Sequence, residues 1–224
     1  MSLISDSASR HHGTVRSKGA SKHHYGKRVF DVFFSLASLV FLAPVLTFIA
    51  IALLIIDGRP IFYRHKRIGR NGRPFFCLKF RTMRKDADKA LAELLQRDPA
   101  RLEEWTRTRK LMDDPRVHKL GRYLRASSLD ELPQFINVLN GTMTIVGPRP
   151  ITLDELNRYG SHASCYMAMT PGITGPWQIS KNKNASYEER VHLDVEYFLG
   201  CSLALDFAII WKTIGVVLFA RNEQ

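Results

Sequence analysis

Two adjacent carboxylates, Asp130 and Glu131, follow a basic segment holding Arg122 and Arg125 and precede Leu132-Pro133-Gln134. Pro133 fits only a first helical turn, so a helix is expected to open near Asp130 and run to about Leu139, ended by Asn140-Gly141. A helix start favours anions, both a carboxylate and an incoming phosphate. An ionised Asp130 there can attack phosphorus, while Glu131 can manage a proton or help to hold a metal. Two anions that approach each other need charge cancellation by Mg²⁺ or arginine. A structural reading competes. Asp130 is a natural N-cap, and Ser128 with Glu131 has capping-box spacing. Acidic pairs also recur at Glu103-Glu104, Asp113-Asp114, Asp154-Glu155 and Glu188-Glu189.

Basic residues suited to phosphate stand nearby. Arg149 lies between Pro148 and Pro150, which fix the backbone at low entropy cost. A guanidinium presented this way can bind phosphate oxygens in a bidentate manner. Lys79 and Arg81, in Lys79-Phe80-Arg81-Thr82-Met83, can join the same basic pocket. The alternative for each is an ordinary solvated cation.

The elements that must position these groups begin with a long apolar run. From Val32 to Ile56 there is no charged residue, with Lys27 and Arg28 before the run and Arg59, Arg64, Lys66 and Arg67 after it. About 20 apolar residues span a bilayer core. A spanning helix normally carries its basic excess on the cytoplasmic side alone. Here both flanks are basic, and Pro44 near the middle interrupts the helical ladder. The expectation is a re-entrant helix-break-helix over residues 27–57, dipping into one leaflet and returning, with a simple span as its rival. Residues 1–26, rich in Ser, His and basic residues, are expected to form a disordered tail. Its His11, His12, His23 and His24 read as solvated low-complexity sequence in preference to a metal site.

Residues 58–224 then form the working domain on the cytoplasmic membrane face. Ile61 to Tyr63 and Pro74 to Phe80 read as strands around Gly69-Arg70-Asn71-Gly72, a hairpin signal. Residues 86–112 read as an amphipathic helix divided at Asp98-Pro99, and Leu120 to Leu124 as a short basic segment. Thr142 to Val146 is strand-like, Thr152 to Tyr159 helical, Pro171 to Pro176 a Gly/Pro loop and Tyr187 to Leu199 helical. Leu203 to Ala220 is strongly apolar but carries Asp206 and Lys212, so it is expected to lie on the membrane surface. The fold class is α/β, mostly helical with a short sheet.

The chain has 33 basic and 21 acidic residues among 224, a formal net charge of +12. An anionic partner is implied. Membrane lipid headgroups already account for part of the excess. With no C-x-x-C, zinc-finger spacing or Walker-type loop, nucleic acid is not expected as a partner. Cys77, Cys165 and Cys201 are too scattered for a disulfide framework or metal cluster.

Four stretches in order, Lys79 to Met83, Arg125 to Asn140 around Asp-Glu-Leu-Pro-Gln, Val146 to Pro150, and Pro171 to Gly175, resemble the bacterial sugar transferase family. These are the monotopic phosphoglycosyl transferases. More narrowly, the chain is similar to small exopolysaccharide-type undecaprenyl-phosphate galactosephosphotransferases, from about residue 27 to the C-terminus. The resemblance implies transfer of a sugar-1-phosphate from a nucleotide-sugar, usually a UDP-sugar such as UDP-galactose or UDP-glucose, to undecaprenyl phosphate. UMP leaves. It implies a covalent phosphosugar on Asp130, Mg²⁺ on that residue, and Glu131 preparing the lipid phosphate. Arg125 and Arg149 match family arginines near the phosphates. It also implies a re-entrant anchor and the cytoplasmic face of the bacterial inner membrane, with other polysaccharide-assembly enzymes as partners.

Two departures stand out. Small family members often have Ser-Pro at the membrane break, where this chain has Ala43-Pro44. The family commonly has Ser-Gly-Arg-Asn after the Gly/Pro loop, where this chain reads Ser180-Lys181-Asn182-Lys183. A lysine there replaces the charge but not the planar fork. The alternative function is a non-catalytic basic membrane-surface protein that binds anionic lipid or an assembly partner.

Overall fold

The computed structural model describes residues 18–108, 111–180 and 186–219. Residues 1–17 of the expected 1–26 tail and the Lys181-Asn182-Lys183 departure lie outside the described residues. The elements run α1 (Lys18–Asp57), β1 (Phe62–Ile68), β2 (Pro74–Phe80), α2 (Ala87–Arg97), α3 (Pro99–Thr108), α4 (Lys119–Ala126), a 3-10 turn (Leu129–Glu131), α5 (Gln134–Leu139), β3 (Thr144–Val146), α6 (Leu153–Asn157), α7 (Ala163–Ala168), β4 (Gly172–Thr174), α8 (Tyr187–Gly200) and α9 (Leu203–Phe219). The chain is mostly helical with short sheet, as expected.

The N-terminal element differs from its expected form in two ways. α1 begins at Lys18, inside the stretch read as tail, and its helical assignment continues through Pro44. Pro44 removes one backbone donor, but the turns around it stay helical. Within α1, Tyr25–Asp57 is long and apolar enough to cross a membrane. Its two ends are docked and its middle is bare. Near the start, Lys27 pairs with Asp206 of α9 at 2.5 Å. Arg28 donates to the carbonyls of Val138 and Leu139 at 2.5 and 2.8 Å, satisfying the C-terminal end of α5. Asp31 accepts from the Thr144 hydroxyl at 2.6 Å and from the Ile145 amide at 3.0 Å. Near the other end, Ile49 and Leu53 pack with Phe80 and Leu124, and Asp57 pairs with Arg81 at 2.7 Å. Between Ser35 and Ile49 no residue is buried, and Phe41 is 82% exposed.

β1 and β2 form an antiparallel hairpin in which Phe62 faces Phe80, Tyr63 faces Lys79 and His65 faces Cys77. Asn71 adopts the left-handed conformation that its turn requires (φ 59°). β1 runs five residues past the expected Tyr63. The run of basic residues Arg64-His65-Lys66-Arg67 before Ile68 hides a strand under a polar composition. β3 and β4 pair in parallel, Thr144 with Gly172 and Val146 with Thr174. β4 falls in the expected Gly/Pro loop. The pairing depends on three glycines. A Cβ on Gly172 would lie 2.2 Å from the Gly147 amide nitrogen, and one on Gly175 would lie 2.0 Å from the Gly147 carbonyl oxygen. Only bare backbone permits this approach.

The core is built around β3. Val138, Met143, Ile145, Val146, Tyr197 and Ile209 are buried together, with Phe30 and Phe34 of α1 packed against them. The charges of α9 divide. Asp206 is buried and accepts from the Tyr197 hydroxyl at 2.6 Å, whereas Lys212 is exposed. α9 also leaves Phe207, Trp211, Ile214 and Val216 exposed.

Candidate active site

The expected helix over 130–139 is resolved into two pieces. Asp130 and Glu131 lie on the 3-10 turn, which follows Ser128 in a left-handed conformation (φ 57°), and α5 starts only at Gln134. Neither Ser128 nor Pro133 makes a side-chain cap. The capping-box reading of Ser128 and Glu131 is therefore corrected: with Ser128 left-handed, the Glu131 amide donates to the Ser128 backbone carbonyl at 3.2 Å, and the Glu131 carboxylate accepts from Lys79 instead. The capping box that does form is Thr152 with Glu155 at the start of α6. Freed from capping, the two carboxylates face a cleft of about 950 Å³.

Lys79, delivered by β2, reaches both carboxylates. Its Nζ is 2.6 Å from Glu131 Oε1 and 4.0 Å from Asp130 Oδ2. Arg125 of α4 shares the cleft and donates from Nε to Thr82 Oγ1 at 2.8 Å. α4 can lie close to Thr82 because Gly121 faces its carbonyl, where a Cβ would be 2.2 Å from the oxygen. Arg149 lines the same cleft and, with Pro150, a small recess beside Glu131 and Gln134. Pro148 is fully buried and its carbonyl accepts from the Gly172 amide at 2.8 Å. The Pro-Arg-Pro corner is thus anchored through Pro148 and presents Arg149.

Arg81 lines the cleft too, but one arm of its guanidinium is spent elsewhere. Its Nη2 donates to the carbonyls of Asp57 and Gly58 at 3.0 and 2.9 Å, closing the C-terminal end of α1. Pro44 lies on α1 between its docked ends. Lys79, Arg125, Asp130, Glu131 and Arg149 are thus brought together; Arg81 joins them at the edge.

The environments of the two carboxyls push them apart. Burial raises Asp130 to about 6, against the opposing pull of Lys79 and with Glu131 adding to the rise. Burial acts on Glu131 in the same sense, but Lys79, then Arg149, with hydrogen bonds from Lys79 and Gln134, outweigh it and hold its carboxyl below the usual value. Neighbouring carboxyls with separated pKa values suit different roles. A raised carboxyl alone does not define a site. Asp194, also raised to about 6 by burial, is in the core and accepts from Tyr159 at 2.7 Å.

Among the described residues no group of three His, Cys, Asp or Glu side chains can hold a metal. Mg²⁺ commonly takes one or two carboxylates and completes its shell with water and substrate phosphates. Asp130 offers one hard oxygen donor of that kind, while Glu131 is engaged by Lys79. The residues fit a Mg²⁺ shared with a phosphorylated substrate.

The sequence expectations did not include the part of the cleft lining that β1 supplies beside Lys79. Tyr63 and His65 of β1 line the cleft, with Thr82, Arg84 and Lys85. The available signal was period-two spacing: Tyr63, His65 and Arg67 share one face of β1, and Tyr63 is in register with Lys79.

A charged cleft with paired carboxylates, in a chain with one helix long and apolar enough to cross a membrane, suits the transfer of phosphorylated groups. Residues 22–220 match the family model for bacterial sugar transferases, and the chain belongs to that family. The expected enzyme class, phosphoglycosyl transferase, stands with it. Among its relatives is the exopolysaccharide production protein ExoY of Sinorhizobium fredii, 48% identical over 211 residues, covering 94% of this chain and 92% of the relative. The UDP-galactose-lipid carrier transferase of Erwinia amylovora is 44% identical over 204 residues, 90% of this chain and 43% of that protein. The undecaprenyl-phosphate galactose phosphotransferase of Salmonella typhimurium is 43% identical over 192 residues, 86% of this chain and 40% of that protein.

Proposed function

We propose that this enzyme transfers a sugar-1-phosphate from a UDP-sugar to undecaprenyl phosphate, releasing UMP and starting exopolysaccharide assembly. The observation that carries the reading is the cleft itself. It places Asp130 and Glu131 against Lys79, with Arg125 and Arg149 in the same walls. Cations in these positions suit a diphosphate, and the names of the relatives supply the sugar-phosphate chemistry and the lipid acceptor.

In this mechanism the ionised Asp130 attacks the sugar-bearing phosphorus, and the bond to the UMP oxygen breaks. Lys79 and Arg149 take up charge on the phosphate oxygens. Asp130 then carries the sugar-1-phosphate as an acyl phosphate. An oxygen of undecaprenyl phosphate attacks the same phosphorus, Asp130 leaves, and a lipid-linked diphosphosugar is formed. Glu131, held ionised by Lys79, receives the proton of any monoprotonated lipid phosphate. Asp130 is the residue that would hold Mg²⁺, and the ion would supply positive charge for the phosphates.

The lipid acceptor requires a membrane position. α1 is read as a re-entrant anchor on the cytoplasmic face of the bacterial inner membrane. Support comes from the docking of both its ends on the catalytic domain, at Lys27–Asp206 and Asp57–Arg81, with a bare apolar stretch between them. Exposed Phe207, Trp211 and Ile214 suit α9 to the interface. Other polysaccharide-assembly enzymes are the partners expected to take the product.

The test is UMP release by purified, detergent-solubilised protein given Mg²⁺, undecaprenyl phosphate and a panel of UDP-sugars, beginning with UDP-galactose. Lipid-dependent release with one donor, lost in Asp130→Asn, is expected. Membrane binding with no release from any donor would favour the non-catalytic lipid-binding alternative.

A further inference from the structure

The walls of the cleft are dominated by charged groups, which suit phosphates. His65 stands out among them. It lines the cleft from β1, beside Tyr63, with the two rings 5.7 Å apart. Its Nδ1 lies 3.2 Å from Arg67 Nη2. A guanidinium has donors and no acceptor. Nδ1 must therefore accept, and in a neutral ring the proton then resides on Nε2.

Arg67 is itself held. Its Nη1 pairs with Glu155 Oε2 at 3.0 Å, and the same carboxylate oxygen accepts from the Thr152 amide at 2.8 Å in the capping box of α6. A fixed chain thus runs from the start of α6 through Glu155 and Arg67 to the His65 ring. Burial, then the cations Arg67 and Lys79, lower the His65 pKa against the weaker opposing pull of Glu155.

We infer that His65 is a specificity-determining residue whose Nε2–H donates to an uncharged oxygen of the nucleotide-sugar, a sugar hydroxyl or a base carbonyl, with Arg67 as its positioning residue. This rests on the proposed use of a nucleotide-sugar. A single neutral N–H competes poorly for phosphate with Lys79, Arg125 and Arg149, because charge-assisted bonds are about twice as strong. It is suited to the parts of the substrate that the cations do not select. The adjacent Tyr63 ring, half-exposed in the same wall, offers an apolar face to a sugar or a base.

The test is equilibrium binding of UMP, UDP-galactose and UDP-glucose to the solubilised full chain by calorimetry, for wild type, His65→Phe and His65→Gln. His65→Phe keeps a ring without a donor, and His65→Gln restores a neutral N–H. His65→Phe is expected to weaken binding about three- to ten-fold, the worth of one neutral hydrogen bond. His65→Gln is expected to remain within about two-fold of wild type. Weakening for UMP as well as the UDP-sugars assigns the acceptor to the nucleotide; weakening for the UDP-sugars alone assigns it to the sugar. Unchanged binding by His65→Phe, or equal losses in both variants, would overturn the inference while leaving the function intact. No binding of any nucleotide by wild type would overturn the proposed function first, and this inference with it. A second readout needs no variant. Long-range proton–nitrogen correlation on ¹⁵N-histidine protein at pH 7 should show a neutral His65 protonated at Nε2. Arg67→Lys, which cannot span both partners, should release that preference. An imidazolium, or a proton on Nδ1, in wild type contradicts the inference.

Discussion

The ammonium of Lys79 lies 2.6 Å from the Glu131 carboxylate and 4.0 Å from that of its neighbour Asp130. One cation from the hairpin therefore serves two carboxyls on a turn, and serves them unequally. Glu131 is held ionised, while burial raises Asp130. The pair is thus split, with the Glu131 carboxyl below its ordinary value and the Asp130 carboxyl raised to about 6.

The first consequence concerns pH. With Asp130 as nucleophile and its carboxyl at about 6, kcat/KM for the donor should fall as pH drops below about 6. Steady-state UMP release across pH 5 to 9 in the presence of Mg²⁺ measures the limb. If Mg²⁺ binds Asp130, more of it should move the limb to lower pH.

Asp130 should also be costly to the fold. Its carboxyl is raised in the folded chain, so between its ordinary value and about 6 the folded chain binds more protons than the unfolded one. Its contribution to stability therefore falls as pH rises through that window and stays low above it. The rise, from 3.8 to about 6, corresponds to ~3 kcal/mol. Asp130→Asn should lose at least about 10³-fold in turnover, yet melt several degrees higher at pH 8. A Tm unchanged or lowered at that pH would contradict the cost.

Removing the shared cation should disturb both roles. In Lys79→Met the Asp130 carboxyl should rise further and Glu131 should lose its main charge partner. Turnover at pH 7 should drop about 10²-fold, with the acid limb displaced to higher pH. Lys79→Arg should keep the limb near its original place. Both profiles come from the same release assay.

The Arg149 corner depends on bare backbone. In Gly172→Ala the new Cβ would lie 2.2 Å from the Gly147 nitrogen and 2.4 Å from the Thr174 oxygen, so β3 and β4 must separate. Destabilisation by about 1–3 kcal/mol or more is expected, with weaker nucleotide binding because Arg149 follows Gly147 by two residues. Thermal melting and calorimetry check the two effects.

Topology has its own test. A cysteine placed at position 20, in a chain whose own cysteines are replaced by serine, should be labelled from the cytoplasmic side. Labelling only from the periplasmic side would replace the re-entrant anchor by a span.

Much of this site was readable in the sequence because local chemistry marks it. Asn71-Gly72 marks the hairpin that carries Lys79, Asp98-Pro99 divides α2 from α3, and the Asp-Glu pair stands out beside Pro133. What was not readable arises from contacts distant along the chain. β4 has three residues in a Gly/Pro setting, and only its pairing with β3 makes it a strand. The 3-10 turn at Asp130 follows from a left-handed Ser128, which no propensity announces. Arg81 lines the cleft as the sequence suggests, but the reach of its Nη2 back to Asp57 is a contact distant along the chain. His65 went unnoticed because Arg67, Glu155 and α6 are needed to give it a defined proton.

A covalent phosphosugar on Asp130 is tested directly by isotope exchange. Purified protein is incubated with UDP-galactose, radiolabelled UMP and Mg²⁺, without any polyprenyl phosphate, and the label entering UDP-galactose is measured. Should another UDP-sugar prove to be the donor in the release assay, that donor is used instead. Exchange is expected in wild type and none in Asp130→Asn, because UMP leaves before the lipid arrives. Exchange that appears only when the lipid acceptor is added would contradict the covalent phosphosugar and require direct transfer between the two substrates.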